Sequence, residues 1–215
     1  MTLQAGAARH DWPAHDARDT LRYGIFLRPD PATCAATAAL HTLLRQQFGL
    51  VSAAVFPPHV TLLGNVALTS GEDVLLERVA EVAGRHAPLY LPHAGPARWH
   101  RVIACDVHDD AVDALARDVE AAVADLRGRT DTDYLTGQTS TDRFRAHLTI
   151  AGQDVALRPD LADEVLEFVT AVAADFPTVV TARHVQTFRF RSDHWPGRWW
   201  AEMTWDLLQS VPLSG

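Results

Sequence analysis

Apolar residues along this chain recur with two different periods, and the switches between them mark out its elements. Arg22 to Leu27 is a short apolar run stopped by Pro29, which predicts a first strand. Asp30 followed by Pro31 is a helix start: a capping carboxylate, then proline in the first turn. The helix runs to about Phe48, where Gly49 provides a C-terminal stop. A second strand, about Val55 to Val66, follows the helix-disfavouring pair Pro57-Pro58. Ser70 with Asp73 resembles a capping box with a shorter acid, opening a helix whose Leu75, Val79 and Val82 share one face. Beyond Pro88, Leu89 to His93 reads as a strand.

The series then begins again. Trp99 to Val107 is a predicted strand, and Asp109 caps a helix with Val112, Leu115, Val119, Val123 and Leu126 at helical spacing. A polar loop from Gly128 to Asp142 leads to a strand from Phe144 to Ala151, and a long loop of this kind often lines a site. Pro159 to Ala174 is another helix, with Leu161, Val165, Phe168 and Val172 along one face. Two strands close the chain, Val179 to Arg191 and Trp199 to Leu208, joined by the turn Trp195-Pro196-Gly197-Arg198. The order strand–helix–strand–helix–strand therefore occurs twice. It predicts an α+β fold of one bilobal domain over residues 20–208, with lobes at about 20–97 and 98–208. Two antiparallel-type sheets would face a central cleft, with helices outside. Residues 1–19 are polar and aperiodic and read as a flexible extension.

The middle strand of each series carries the same pattern. In Pro58-His59-Val60-Thr61-Leu62, alternation puts His59 and Thr61 on one face and Val60 and Leu62 on the other. The pattern returns 88 residues later in His147-Leu148-Thr149-Ile150. A bare His-x-Thr arises by chance about once in a chain with 11 histidines and 18 threonines. The signal lies in the repetition of His-apolar-Thr-apolar at matching places in a duplicated series. In each copy the apolar pair can anchor the strand in a core, leaving an imidazole and a hydroxyl on the opposite surface.

Composition narrows the chemistry. Hydrophobic residues make up 47% and charged residues 21%, as in an ordinary globular protein. No stretch approaches the ~20 apolar residues of a membrane span, and the N-terminal residues lack the apolar run of a secretory signal, so a cytoplasmic location and no membrane partner are expected. The two cysteines, Cys34 and Cys105, form no disulfide framework. No zinc-binding spacing is present; His10 and His15 stand in the polar extension, and neither a metal nor a cofactor is expected. The net charge is −8 and all 19 basic residues are arginine. That balance argues against tracking long DNA by its phosphates. Between Arg183 and Arg198 four arginines face a single Asp193, which suits a small anion.

Histidine titrates nearest neutrality, so a facing pair can hold one neutral and one protonated imidazole. One can deprotonate an attacking oxygen while the other protonates a departing one. Two threonine hydroxyls can donate to the non-bridging oxygens where charge sits in the transition state. A phosphodiester suits this equipment, above all a strained five-membered cyclic one, with no covalent intermediate.

These paired strands resemble the two-histidine phosphoesterase superfamily. That group includes cyclic phosphodiesterases, bacterial RNA 2′,3′-cyclic phosphodiesterases (also called 2′-5′ RNA ligases) and the cyclic-nucleotide phosphodiesterase of myelin. The resemblance spans about residues 20–208 in element order and rests on the two motifs quoted above. It implies metal-independent opening of a cyclic phosphate, with His59, Thr61, His147 and Thr149 in the catalytic roles. It further implies that His147 activates water and His59 protonates the leaving oxygen. Ala146 stands where a proline often precedes the second histidine. The acidic charge favours a small nucleotide, of the 2′,3′-cyclic or ADP-ribose 1″,2″-cyclic phosphate type, as substrate. RNA ends, with 2′-5′ ligation as the reverse reaction, and a non-catalytic nucleotide-binding module are the alternatives. A monomer is expected.

Further candidates carry less signal. Phe26 falls where cyclic phosphodiesterases place an aromatic near the cleft, and Tyr134 lies alone in the polar loop; both are candidate substrate contacts. Arg189 and Arg191 share a strand face with Thr187 and could add positive field. Trp195, Trp199, Trp200 and Trp205 read as packing for the last hairpin.

Overall fold

A computed structural model describes residues 20–69, 71–99, 102–128, 145–193, 195 and 198–215. In chain order the elements are β1 (Leu21–Pro29), α1 (Pro31–Phe48), β2 (Val60–Val66), α2 (Glu72–Ala83), β3 (Leu89–Pro92), β4 (Pro96–Trp99) and β5 (Val102–Asp106). They continue with α3 (Asp110–Val123), β6 (His147–Ala151), α4 (Gln153–Ala156), α5 (Ala162–Val172), β7 (Val179–Arg191) and β8 (Thr204–Pro212).

Helix ends follow the local chemistry. The Asp30 carboxylate accepts from the amides of Ala32 (3.1 Å) and Thr33 (3.0 Å), fixing the start of α1. Gly49, at φ 71°, closes it in the left-handed region, with its amide donating to the Arg45 carbonyl at 3.1 Å. Asp109 caps α3 through the amide of Ala111 at 2.8 Å. Helix α2 begins after Gly71 without a side-chain cap, although Glu72 and Asp73 in its first turn suit the helix dipole. Ser70, half of the expected capping box, lies outside the described residues.

The expectation of two separate sheets is corrected. Among the described residues all eight strands belong to one sheet of order β3-β7-β1-β2-β6-β5-β4, and β8 extends the β3 edge by pairing with the later part of β7. The motif strands β2 and β6 meet through the single antiparallel pair Val60↔Leu148, while β7, from the second half, lies between β3 and β1 of the first. The helices explain the merger: α1, from the first half, packs on β6, and α3, from the second half, packs on β2. Strand pairing and helix packing therefore both cross between the halves. Val60, Leu148 and Ile150 are fully buried in this core, and Leu62 is nearly so.

Three strand expectations also change. Trp99 to Val107 is not one strand but parts of two, β4 and β5, paired antiparallel with Trp99 opposite Val102. The motif strands start later than expected, at Val60 and His147: residues 52–55 form a turn before the first, and residues 145 and 146 are irregular before the second. Trp199 opens a short 3₁₀ turn rather than the last strand. Trp199 and Trp200 are consecutive and both buried, which an alternating strand on a sheet edge cannot arrange. They join Phe26, Phe188, Phe190 and Trp195 in a second apolar cluster.

Candidate active site

The register of the sheet assembles the site. With Val60 opposite Leu148, the flanking residues of an antiparallel pair also face one another, so His59 stands across from Thr149 and Thr61 across from His147. The row continues on both sides: Phe26 pairs with Thr61 on β1, and Asp106 pairs with His147 on β5. The four motif side chains thus occupy one face at the junction of the halves, while Val60 and Leu148 point into the core beneath them. All four are half-buried, and the hydroxyls of Thr61 and Thr149 make no hydrogen bond among the described residues.

The two imidazoles are held alike. Nδ1 of His59 lies 2.8 Å from the carbonyl of Pro57, and Nδ1 of His147 lies 2.9 Å from the carbonyl of Arg145. A carbonyl can only accept, so Nδ1 donates in both, and the neutral ring leaves Nε2 as its base. Aromatic rings fix the planes. Phe26 stacks on His59 with centroids 4.0 Å apart and 24° between planes, and Phe56 flanks it at 5.5 Å. Trp99 covers His147 at 3.8 Å. Gly24 makes room for the Phe26 ring: a Cβ there would come within 2.4 Å of Cζ of Phe26.

The environments of the two rings differ. Burial pushes the His59 pKa down to about 4; the Pro57 carbonyl opposes the shift, and the nearby His147 and His41 reinforce it. Burial also lowers His147, but there the Arg145 carbonyl and the Asp106 carboxylate oppose it. Asp106 is itself ion-paired to the Arg145 guanidinium. The Asp106 carboxylate thus works toward a proton on His147, whereas the neighbouring imidazoles work against one on His59.

Beneath the site, the buried Asp154 carboxylate clamps the turn that leads to the first motif. It accepts from the amide of Val51, from the amide of Ser52 at 2.7 Å and from the Ser52 hydroxyl at 2.6 Å. His41 on α1 reaches the Thr149 carbonyl through Nε2 at 3.4 Å.

Of the residues singled out from sequence, His59, Thr61, His147 and Thr149 come together. Phe26 is only 4% exposed and has a face against His59, so it holds the imidazole and offers little surface to a base. Tyr134, most of the polar loop, His10 and His15 lie outside the described residues. Arg189 does not lend its charge to the cleft: it pairs with Glu72 at 3.2 Å and Asp206 at 2.9 Å, on the face opposite Phe188 and Phe190. Trp99, Asp106, Phe56 and His41 were not anticipated; each depends on register or packing that no motif announces. Among the described residues no three His, Cys, Asp or Glu side chains form a metal-binding group, and no helix is long and apolar enough to cross a membrane.

Two imidazoles with free Nε2 atoms, each set across the strand junction from a threonine hydroxyl, define a two-histidine phosphoesterase. The sequence profile of the 2′-5′ RNA ligase superfamily matches residues 29–194, and the chain belongs to that family. It is accordingly an enzyme, a phosphoric diester hydrolase. The fold is similar to that of TT0787 of Thermus thermophilus, at 18% identity and a TM-score of 0.55, covering 90% of this chain and 98% of that one. It is also similar to Escherichia coli LigT complexed with 3′-AMP, at 14% identity and a TM-score of 0.50, covering 91% and 99%. A comparison with curated proteins finds no match.

Proposed function

We propose that this enzyme opens 2′,3′-cyclic phosphates at the ends of RNA, without a metal, by acid–base catalysis between His59 and His147. The observation that carries the reading is the pair of Nδ1-anchored imidazoles, set crosswise with Thr61 and Thr149 about Val60 and Leu148. One Nε2 takes a proton from water as the water oxygen bonds to phosphorus. The bond to one ribose oxygen breaks, and the other imidazole delivers its Nε2 proton to that oxygen. Thr61 and Thr149 donate to the non-bridging oxygens. Family membership favours RNA ends over the small nucleotide expected from the acidic charge. A chain terminus brings few phosphates to the site, so a net charge of −8 does not oppose it. E. coli LigT, of similar fold, has been crystallised with 3′-AMP, a nucleotide of the kind such a terminus would leave. Joining 2′-5′ ends would use the same groups in reverse.

A second assignment of roles has its own support. Family resemblance makes His59 the acid, whereas the Asp106 carboxylate beside His147 favours the proton on His147. Turnover of 2′,3′-cyclic mononucleotides and of a short RNA with a cyclic end, followed by chromatography in EDTA, tests the function itself. The expected result is one monophosphate isomer from each substrate. No ring opening of either would sink the reading.

A further inference from the structure

Next to the motif row, on the same face, lies a guanidinium that the chemistry above does not use. Phe26 pairs with Thr61 and Leu27 with Val60, so the next residue of that register, Arg28, stands across from His59. On its other side Arg28 pairs with His184 of β7, and its Nη2 lies 2.8 Å from His184 Nδ1. A guanidinium has no acceptor, so His184 Nδ1 receives this bond and the imidazole is neutral. Burial and the Arg28 charge both lower the His184 pKa, in keeping with that state.

Arg28 is exposed, and no carboxylate among the described residues pairs with it. Asp30, two residues on, does not neutralise it. The Asp30 oxygens accept from the amides of Ala32, Thr33 and Thr181 and from the Thr33 hydroxyl. Arg78, Arg98, Arg127, Arg145 and Arg189, in contrast, each pair with a carboxylate. An uncompensated guanidinium, oriented by a neutral imidazole and beside a catalytic histidine, is built to receive an anion through its remaining N–H groups.

We propose that Arg28, oriented by His184, binds a second phosphate of the substrate: the one on the 5′ side of the nucleotide that carries the cyclic phosphate. Thr61, Thr149 and the two histidines surround the scissile group, while Arg28 lies one strand away from His59. That offset suits the neighbouring phosphate of a nucleic acid strand, which falls within an arginine's reach. The assignment rests on the cyclic phosphodiesterase reading and makes the substrate class narrower: a cyclic end with a phosphate at its 5′ oxygen.

The test compares adenosine 2′,3′-cyclic phosphate with its 5′-phosphorylated form, at one ionic strength, on the full chain. The wild type is expected to prefer the 5′-phosphorylated compound in kcat/KM. In Arg28→Gln that preference should fall at least tenfold, through KM rather than kcat. His184→Asn, which keeps an acceptor, should retain more of the preference than His184→Leu. Equal loss on both substrates would mean that Arg28 serves the scissile phosphate, and an unaltered preference that it serves neither; each result overturns the proposal. If neither compound is opened, the phosphodiesterase reading fails separately. The subsite is then read from equilibrium binding of adenosine 3′,5′-bisphosphate against 3′-AMP, where Arg28→Gln must abolish a preference for the bisphosphate, and its persistence or its absence in the wild type overturns the assignment.

Discussion

The depressed histidine pKa values make the pH dependence of catalysis the most searching test. In the proposed mechanism the reactive form carries one proton on the imidazole pair, and interacting imidazoles titrate as a pair. His59 is pushed down to about 4 and His147 also lies below its ordinary value, so the single proton of the free enzyme is lost at a pH below ~6.5. Above that point kcat/KM, which reports the free enzyme, should fall tenfold per pH unit and by pH 8.5 be at least ~100-fold below its maximum. The complex behaves differently. A phosphate charge ~4 Å from an imidazolium, at an effective dielectric constant of ~20, stabilises it by about 4 kcal/mol, or ~3 pKa units. The basic limb of kcat should therefore lie up to ~3 units above that of kcat/KM. Initial rates on a 2′,3′-cyclic nucleotide, in mixed buffers of constant ionic strength from pH 3.5 to 9, measure both limbs. A kcat/KM that stays level or rises from pH 6.5 to 8.5 would refute the argument from burial. Coincident limbs would show that the phosphate does not lie between the imidazoles.

Three further outcomes are expected. Alanine at His59 or His147 should each lower kcat/KM by ~10²–10⁴-fold; a nitrophenolate leaving group, which needs no proton, should rescue only the variant lacking the acid, and rescue of both or neither would contradict a division of labour. In the folded chain His59 binds fewer protons than the ~6.5 reference state between pH 6.5 and about 4, so its contribution to stability is complete above 6.5 and is lost as pH falls toward 4, by at most about 3 kcal/mol. Denaturant titrations should show that acid loss reduced in His59→Gln, and an identical slope in both proteins would be the wrong result. Asp154→Ala leaves three donors at Val51 and Ser52 without their acceptor, costing about 3 kcal/mol and lowering Tm by roughly 6–12 °C; a shift under ~2 °C by calorimetry would deny the clamp its role.

Much of the architecture was legible where local chemistry decides it. Asp30-Pro31 and Gly49 bound α1 through their own caps, and the span Val179–Arg191 of β7 follows from its run of strand-forming residues. The faces of the motifs were equally plain, because alternation needs no tertiary knowledge. What escaped was set at long range. The single sheet depends on α1 crossing to β6 and α3 to β2, and neither helix's apolar face records which strand it covers. Trp99 and Asp106 reach His147 only through the pairing of β4, β5 and β6, and a residue's cross-strand neighbour is not encoded beside it. The acidic net charge says little about the substrate, since an anion site answers to charges within about a Debye length and not to the total.

The carbonyl anchors at Pro57 and Arg145 have an implication for how this site tolerates change. The tautomer of each motif imidazole is written in the main chain, not in a neighbouring carboxylate that a point mutation could delete. Any residue that keeps the local backbone direction can supply the same acceptor. The positions around the histidines are thereby released from chemical duty, and Ala146 in place of a proline leaves the second imidazole tied just as the first is, 2.9 Å against 2.8 Å. An imidazole pair oriented by peptide groups can let its flanking sequence drift far while its proton inventory stays the same.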